Sequence, residues 1–168
     1  MKFTSPTLTV FADASYFPDQ GVAGWGGWAR RDDTEPWVHG GPLTPNPDTT
    51  VLELEALAIW LQVLHAKNWL QASDEAILIQ SDSLGALQSI RGVIRNTWSV
   101  KSSDNRIHPN KKRVASHQPA LEVLTPLLTP REVVYLKHVK GHQGGGTPRN
   151  YVNELCDRRA KKEARAQI

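Results

Sequence analysis

The chain has 168 residues, of which 39% are hydrophobic and 22% charged, the range of an ordinary globular domain rather than of a disordered or fibrous chain. Its one cysteine, Cys156, excludes an intrachain disulfide, and no apolar run approaches the roughly 20 residues that a membrane helix needs. The net charge of +3 is unevenly spread: residues 91–113 hold seven basic side chains and one acid, while the remainder holds 13 basic and 16 acidic ones.

A single domain over 1–168 is expected. The first residues lack a charged segment followed by an apolar run, so a cytoplasmic protein without membrane contact is expected as well. The basic segment, with Arg91, Arg95, Lys101, Arg106, Lys111, Lys112 and Arg113 against Asp104, suits a local polyanion contact. A solvated loop would carry the same charge.

In chain order, residues 7–12 are rich in β-formers and end at Asp13. Residues 18–21 (Pro-Asp-Gln-Gly) make a turn, and 22–30 alternate glycine with Trp25 and Trp28, so the two runs read as a hairpin. Residues 36–43 could add a third strand. From Val51 to Ala66 the period becomes helical. Residues 76–81 form a short apolar run suited to a buried strand, with Asp82 directly after it. Ser83–Arg95 reads as a weak helix, 99–113 as a loop, and 118–128 as a helix. Residues 132–139 read as a strand, 141–150 as a glycine-rich loop and 151–166 as a charged helix. Three consecutive strands followed by strands separated by helices predict a mixed α/β sheet.

Magnesium takes hard oxygen ligands, and two such ions about 3.5–4 Å apart can serve phosphodiester cleavage. Such a site needs carboxylates that converge from different rigid elements. Asp13 and Asp82 follow apolar strands, where aspartate is otherwise a turn former. Glu53 lies in the first turn of the long helix, where the helix dipole alone would favour it. On a wheel of about 100° per residue, Glu53 flanks the stripe of Leu54, Leu57, Leu61 and Leu64, and Glu55 lies well away from it. Glu53 is therefore expected to look toward the sheet and Glu55 toward solvent.

Four motifs then match a family. They are Phe11-Ala12-Asp13-Ala14-Ser15 with the glycine and tryptophan run 23–28, Leu52-Glu53-Leu54-Glu55-Ala56-Leu57, Ile79-Gln80-Ser81-Asp82-Ser83, and Val139-Lys140-Gly141-His142 with Asn153-Glu154-Leu155-Cys156-Asp157. Their order over nearly the full length resembles type 1 ribonuclease H. The resemblance implies a five-stranded mixed sheet of three antiparallel and two parallel strands, flanked by helices. It implies that Asp13, Glu53, Asp82 and Asp157 hold two Mg²⁺ ions, with Mn²⁺ as the alternative. It makes His142 an aid to proton transfer and product release. The implied reaction is hydrolysis of the RNA strand of an RNA–DNA hybrid, leaving 3′-hydroxyl and 5′-phosphate ends; a monomer is expected.

For the substrate, the resemblance places Arg91, Arg95, Lys101, Lys111, Lys112 and Arg113, with Trp98 among them, where many members carry a basic protrusion. Ser15 and Asn153, inside the motifs, are further expected contacts. There are departures. The first motif has Ala14 where many members have glycine, a form seen in retroviral-type domains. Thr49 and Thr50 stand where cellular members carry asparagines that touch the minor groove, and Leu84 replaces a common glutamine. The alternatives are a DNA-acting nuclease or strand-transfer enzyme of the same fold, and a non-catalytic hybrid-binding module.

Overall fold

A computed structural model of the chain describes residues 8–31, 35–46, 48–70, 76–93, 97–99, 107, 133–139 and 148–168. β1 (Leu8–Phe17) and β2 (Val22–Arg31) form the expected hairpin, paired from Leu8 opposite Arg31 to Phe17 opposite Val22. The turn between them closes with the Gln20 and Gly21 N–H groups donating to the Phe17 and Pro18 carbonyls. Gly21 has φ +65°, a conformation that side chains rarely tolerate. β3 (Trp37–Leu43) adds antiparallel to β2.

α1 (Val51–Leu70) crosses to β4 (Ala76–Ser81), which runs parallel to β1. α2 (Leu84–Val93) follows, then the short β5 (Thr97–Ser99), then β6 (Val133–His138) and α3 (Pro148–Arg165). The sheet order is β3-β2-β1-β4-β6-β5. β3, β2 and β1 are the three antiparallel strands and β4 and β6 the two parallel ones, as expected. β5 adds three residues to that arrangement, parallel to the edge of β6. The polar stretch around Trp98 hid this strand. The helix expected at 118–128 lies outside the described residues. α3 begins at Pro148, inside the expected loop, because proline suits a first helical turn that needs no N–H donor there.

Alternation along β1 decides what covers each face. Leu8, Val10, Ala12 and Ala14 join the main core, where Leu54, Ala58, Ile59, Trp60 and Val63 of α1 meet Leu87 and Ile90 of α2. Each large apolar side chain buried there contributes about 1.5–3 kcal/mol. Phe11 points to the other face and packs with Val139, Val152, Cys156 and Trp28 under α3. Its ring meets Trp28 edge-on at 5.8 Å between centroids.

The glycines of β2 and β3 let α3 lie almost on the sheet backbone. A Cβ on Gly24 would stand 2.5 Å from the Ala164 nitrogen, and one on Gly26 would stand 2.5 Å from the Cys156 carbonyl oxygen and 2.8 Å from the Ala160 nitrogen. Those neighbours are backbone and cannot swing aside. Gly26→Ala should therefore push α3 outward and cost about 1–3 kcal/mol, as overpacking does, read as a lower midpoint in urea unfolding. An unchanged midpoint would show that α3 does not depend on this close approach.

Candidate metal centre

Asp13 lies within β1 rather than after it, opposite Gly26, because pairing with β2 carries the strand on to Phe17. Its side chain is only 7% exposed. Asp82 follows β4, and the neighbouring backbone is tightly held. The Val139 N–H donates to the Ser81 carbonyl at 2.8 Å, and the Ser83 N–H donates to Ser81 Oγ at 3.0 Å. Ser83 in turn caps α2, its Oγ accepting the Ala86 N–H at 3.2 Å. The His138 ring nitrogen Nε2 lies 3.1 Å from the Asp82 carbonyl oxygen.

The third carboxylate is Glu55. Oxygens of Asp13, Glu55 and Asp82 all lie within 4.8 Å of one another. Glu53, expected to face the sheet, is not part of this set. The leucine stripe misled: Leu57 and Leu61 are only partly buried, at the margin of the core. The face that docks runs through Ile59, Gln62 and Ala66, all with no exposure, and Glu55 stands one turn before Ile59 on that same i, i+4, i+7 line. Buried Gln62 and the small Ala66 concealed the line, because neither reads as an apolar core residue of the usual size. Glu53 occupies the third position of α1, where its N–H donates to Thr50 Oγ1 at 3.2 Å. That is the place of the acid in a Thr-x-x-Glu helix start.

Burial is the main force on Asp13. Together with the charges of Asp82 and Asp157 it pushes that carboxyl up to about 8, against the opposing hydrogen bond from the Ala14 N–H at 2.9 Å. Glu55 is also raised, first by burial and then by the charge of Asp82, while a hydrogen bond with the Ser83 side chain works the other way. Cys156, buried beneath the cluster, has its thiol pushed well above the usual range by burial and by the same three aspartates. It is a packing residue, not a nucleophile.

Asp157, on α3, is near enough for its charge to act on Asp13 but does not join the convergent three. Its Oδ2 accepts from Lys161 Nζ at 2.9 Å. Asn153, one turn earlier, is buried and donates from Nδ2 to Asp82 Oδ2 at 3.2 Å, so it orients a carboxylate. Among the other candidates, Ser15 is half-buried in β1. Thr49 and Thr50 shape the start of α1, with Thr49 Oγ1 accepting the Asn46 N–H at 2.9 Å. Arg91 donates from Nη1 to the Ile107 carbonyl at 2.6 Å, anchoring the basic segment at its start. Trp98 pairs in β5 with Tyr135 by its backbone. Arg95, Lys101, Lys111, Lys112, Arg113 and His142 lie outside the described residues.

Three hard oxygen donors crowded in one place, with the Asp13 and Glu55 carboxyls pushed up by burial, form a donor set that fits a divalent cation such as Mg²⁺ or Mn²⁺. Acidic chains with this geometry on a mixed sheet define a ribonuclease H-like fold. The family described as RNase H matches residues 5–165, and the chain belongs to it. The RNase H1 of the halophilic archaeon Halobacterium salinarum is similar in structure, with a TM-score of 0.59 at 15% identity, covering 95% of this chain and 98% of that one. The PFV RNase H domain gives a TM-score of 0.59 at 21% identity and covers 97% of each chain. LC11-RNase H1, solved in complex with an RNA/DNA hybrid, gives 0.57 at 13% identity and covers 95% of this chain and 98% of its own. Among curated protein sequences, none matches the chain.

The electrostatics has a direct consequence. Asp13 has its folded value raised from 3.8 to about 8, so the folded state binds this proton more tightly than the unfolded state does. Its contribution to stability is full below about pH 4 and is lost as pH rises toward 8. Without divalent ions, Asp13→Asn should therefore melt at a higher temperature than the parent at pH 8, with a smaller gain at pH 5. An equal gain at both values would mean that the Asp13 carboxyl is not raised by its burial and its neighbours.

Proposed function

We propose that the chain is an endonuclease that hydrolyses the RNA strand of RNA–DNA hybrids with divalent ions held by Asp13, Glu55, Asp82 and Asp157. The observation that carries this reading is the convergence of Asp13, Glu55 and Asp82 in a chain of the RNase H family. Bound Mg²⁺ supplies the chemistry that carboxylates lack, lowering the pKa of an attacking water and neutralising charge on the departing oxygen. The chain's own part is positional. Asn153 fixes Asp82, the Ser83 side chain holds Glu55, and the Ala14 N–H holds Asp13. The proposed products carry 3′-hydroxyl and 5′-phosphate ends.

Binding is assigned to the basic segment at 91–113, whose cations would neutralise phosphates and give salt-dependent affinity. His142 is proposed to assist proton transfer and product release. Hybrid preference would rest on 2′-hydroxyls and groove shape. With Glu55 as the helix carboxylate, the positions that the resemblance assigns to the minor groove shift by two, from Thr49 and Thr50 to Val51 and Leu52. Val51 is 50% exposed, so an apolar contact would replace an amide there. The similarity of LC11-RNase H1, solved with a hybrid, supports the substrate class.

The decisive assay is cleavage of an end-labelled hybrid with Mg²⁺, beside single-stranded RNA, duplex RNA, duplex DNA and an EDTA control. Metal-dependent cutting of RNA in the hybrid alone is expected. Glu55→Gln should lower the rate at least on the order of 100-fold, since losing even an outer partner of a metal ligand costs about 10–100-fold. Glu53→Gln should stay near the parent rate. Cutting of duplex DNA instead would assign the site to another nuclease of this fold.

A further inference from the structure

Asp157 stands apart from the other three acids, and a cation of the chain itself is on it. Its Oδ2 takes Lys161 Nζ at 2.9 Å, one helical turn along α3. Asp157 nevertheless lies close enough to add to the charge felt by Asp13, while its oxygens fall outside the convergent set. We propose that Lys161 is a built-in counter-ion that competes with a divalent ion for Asp157 and sets the ion concentration at which the fourth carboxylate joins the site. The proposal rests on the reading of Asp157 as a ligand.

The pair is suited to exchange. Lys161 is 42% exposed and Asp157 29%, so water screens their attraction and neither side chain is locked by burial. An ammonium held there carries one charge on a flexible stem and leaves more readily than a buried partner would. Acid followed by base at i, i+4 is also the orientation in which a helix favours the pair, so the contact persists until a stronger cation takes the carboxylate. Other cations on the helix are placed differently. Arg159 is taken by Glu163 at 2.8 Å. Lys162 is exposed and has no acidic partner among the described residues, so it carries the same charge without the competition.

The test is calorimetric titration of Mg²⁺ into the folded protein without nucleic acid, repeated with Mn²⁺. Lys161→Met should tighten the weaker binding step by about two- to fivefold, the range expected for an exposed ion pair. Lys161→Arg should stay near the parent, and Lys162→Met should leave the isotherm unchanged. Unchanged or weaker binding by Lys161→Met would overturn the proposal, as would an equal shift in Lys162→Met, which would trace the effect to overall charge. Asp157→Asn separates the two levels. If it removes the weaker step while Lys161→Met shifts nothing, the counter-ion role alone fails. If it leaves both steps as in the parent, Asp157 is not a ligand and the underlying reading fails with it.

Discussion

Carboxylates that repel one another must be held together by something stiffer than the repulsion, and the rest of the structure meets that demand. Asp13 sits in β1, which is paired with β2 along its whole length, Asp13 opposite Gly26, and with β4 from Leu8 to Phe11, so its backbone is held in place. Asp82 is fixed by the hydrogen bonds that tie Ser81 to Val139 and Ser83. Glu55 is placed by α1, whose start is capped by Thr50 and whose buried line is pressed onto the sheet. Burial first, and then the charges of Asp82 and Asp157, raise the Asp13 carboxyl, and a divalent cation held there would offset both.

The second constraint is the glycine track of β2 and β3. Side chains at Gly24, Gly26 or Gly40 would collide with α3 or with Trp25, so their absence lets the last helix settle on the strands beside Asp13. The same contact brings Cys156 over Gly26, Asp157 next to it and Asn153 against Asp82. What looks in sequence like a loose glycine-rich strand is the seat of the helix that carries Asn153 and Asp157.

Much of this was legible before the structure. Strand alternation gave the hairpin, the apolar run at 76–81 gave the central parallel strand, and Asp13 and Asp82 emerged from their places at those strands. The failures have physical causes. The leucines of α1 mark one stripe, but the helix docks through Ile59, Gln62 and Ala66, and it is Glu55 rather than Glu53 that lies with the other acids. Periodicity weighs size and hydrophobicity, and it overlooks a buried glutamine that packs against a glycine. β5 was missed because three residues in a polar stretch carry too little pattern to declare a strand. Asp157 and Asn153 depended on tertiary packing of α3, which no local spacing reveals, and only the family resemblance pointed to them.

At 13–21% identity the three solved structures share an architecture with this chain and nothing finer. The account therefore stands or falls on the metal centre. The most direct measurement is anomalous diffraction from crystals of the protein soaked in Mn²⁺. The account predicts density bounded by Asp13, Glu55 and Asp82, with none at Glu53. Strong binding at Glu53, or an empty cluster under saturating Mn²⁺, would contradict it.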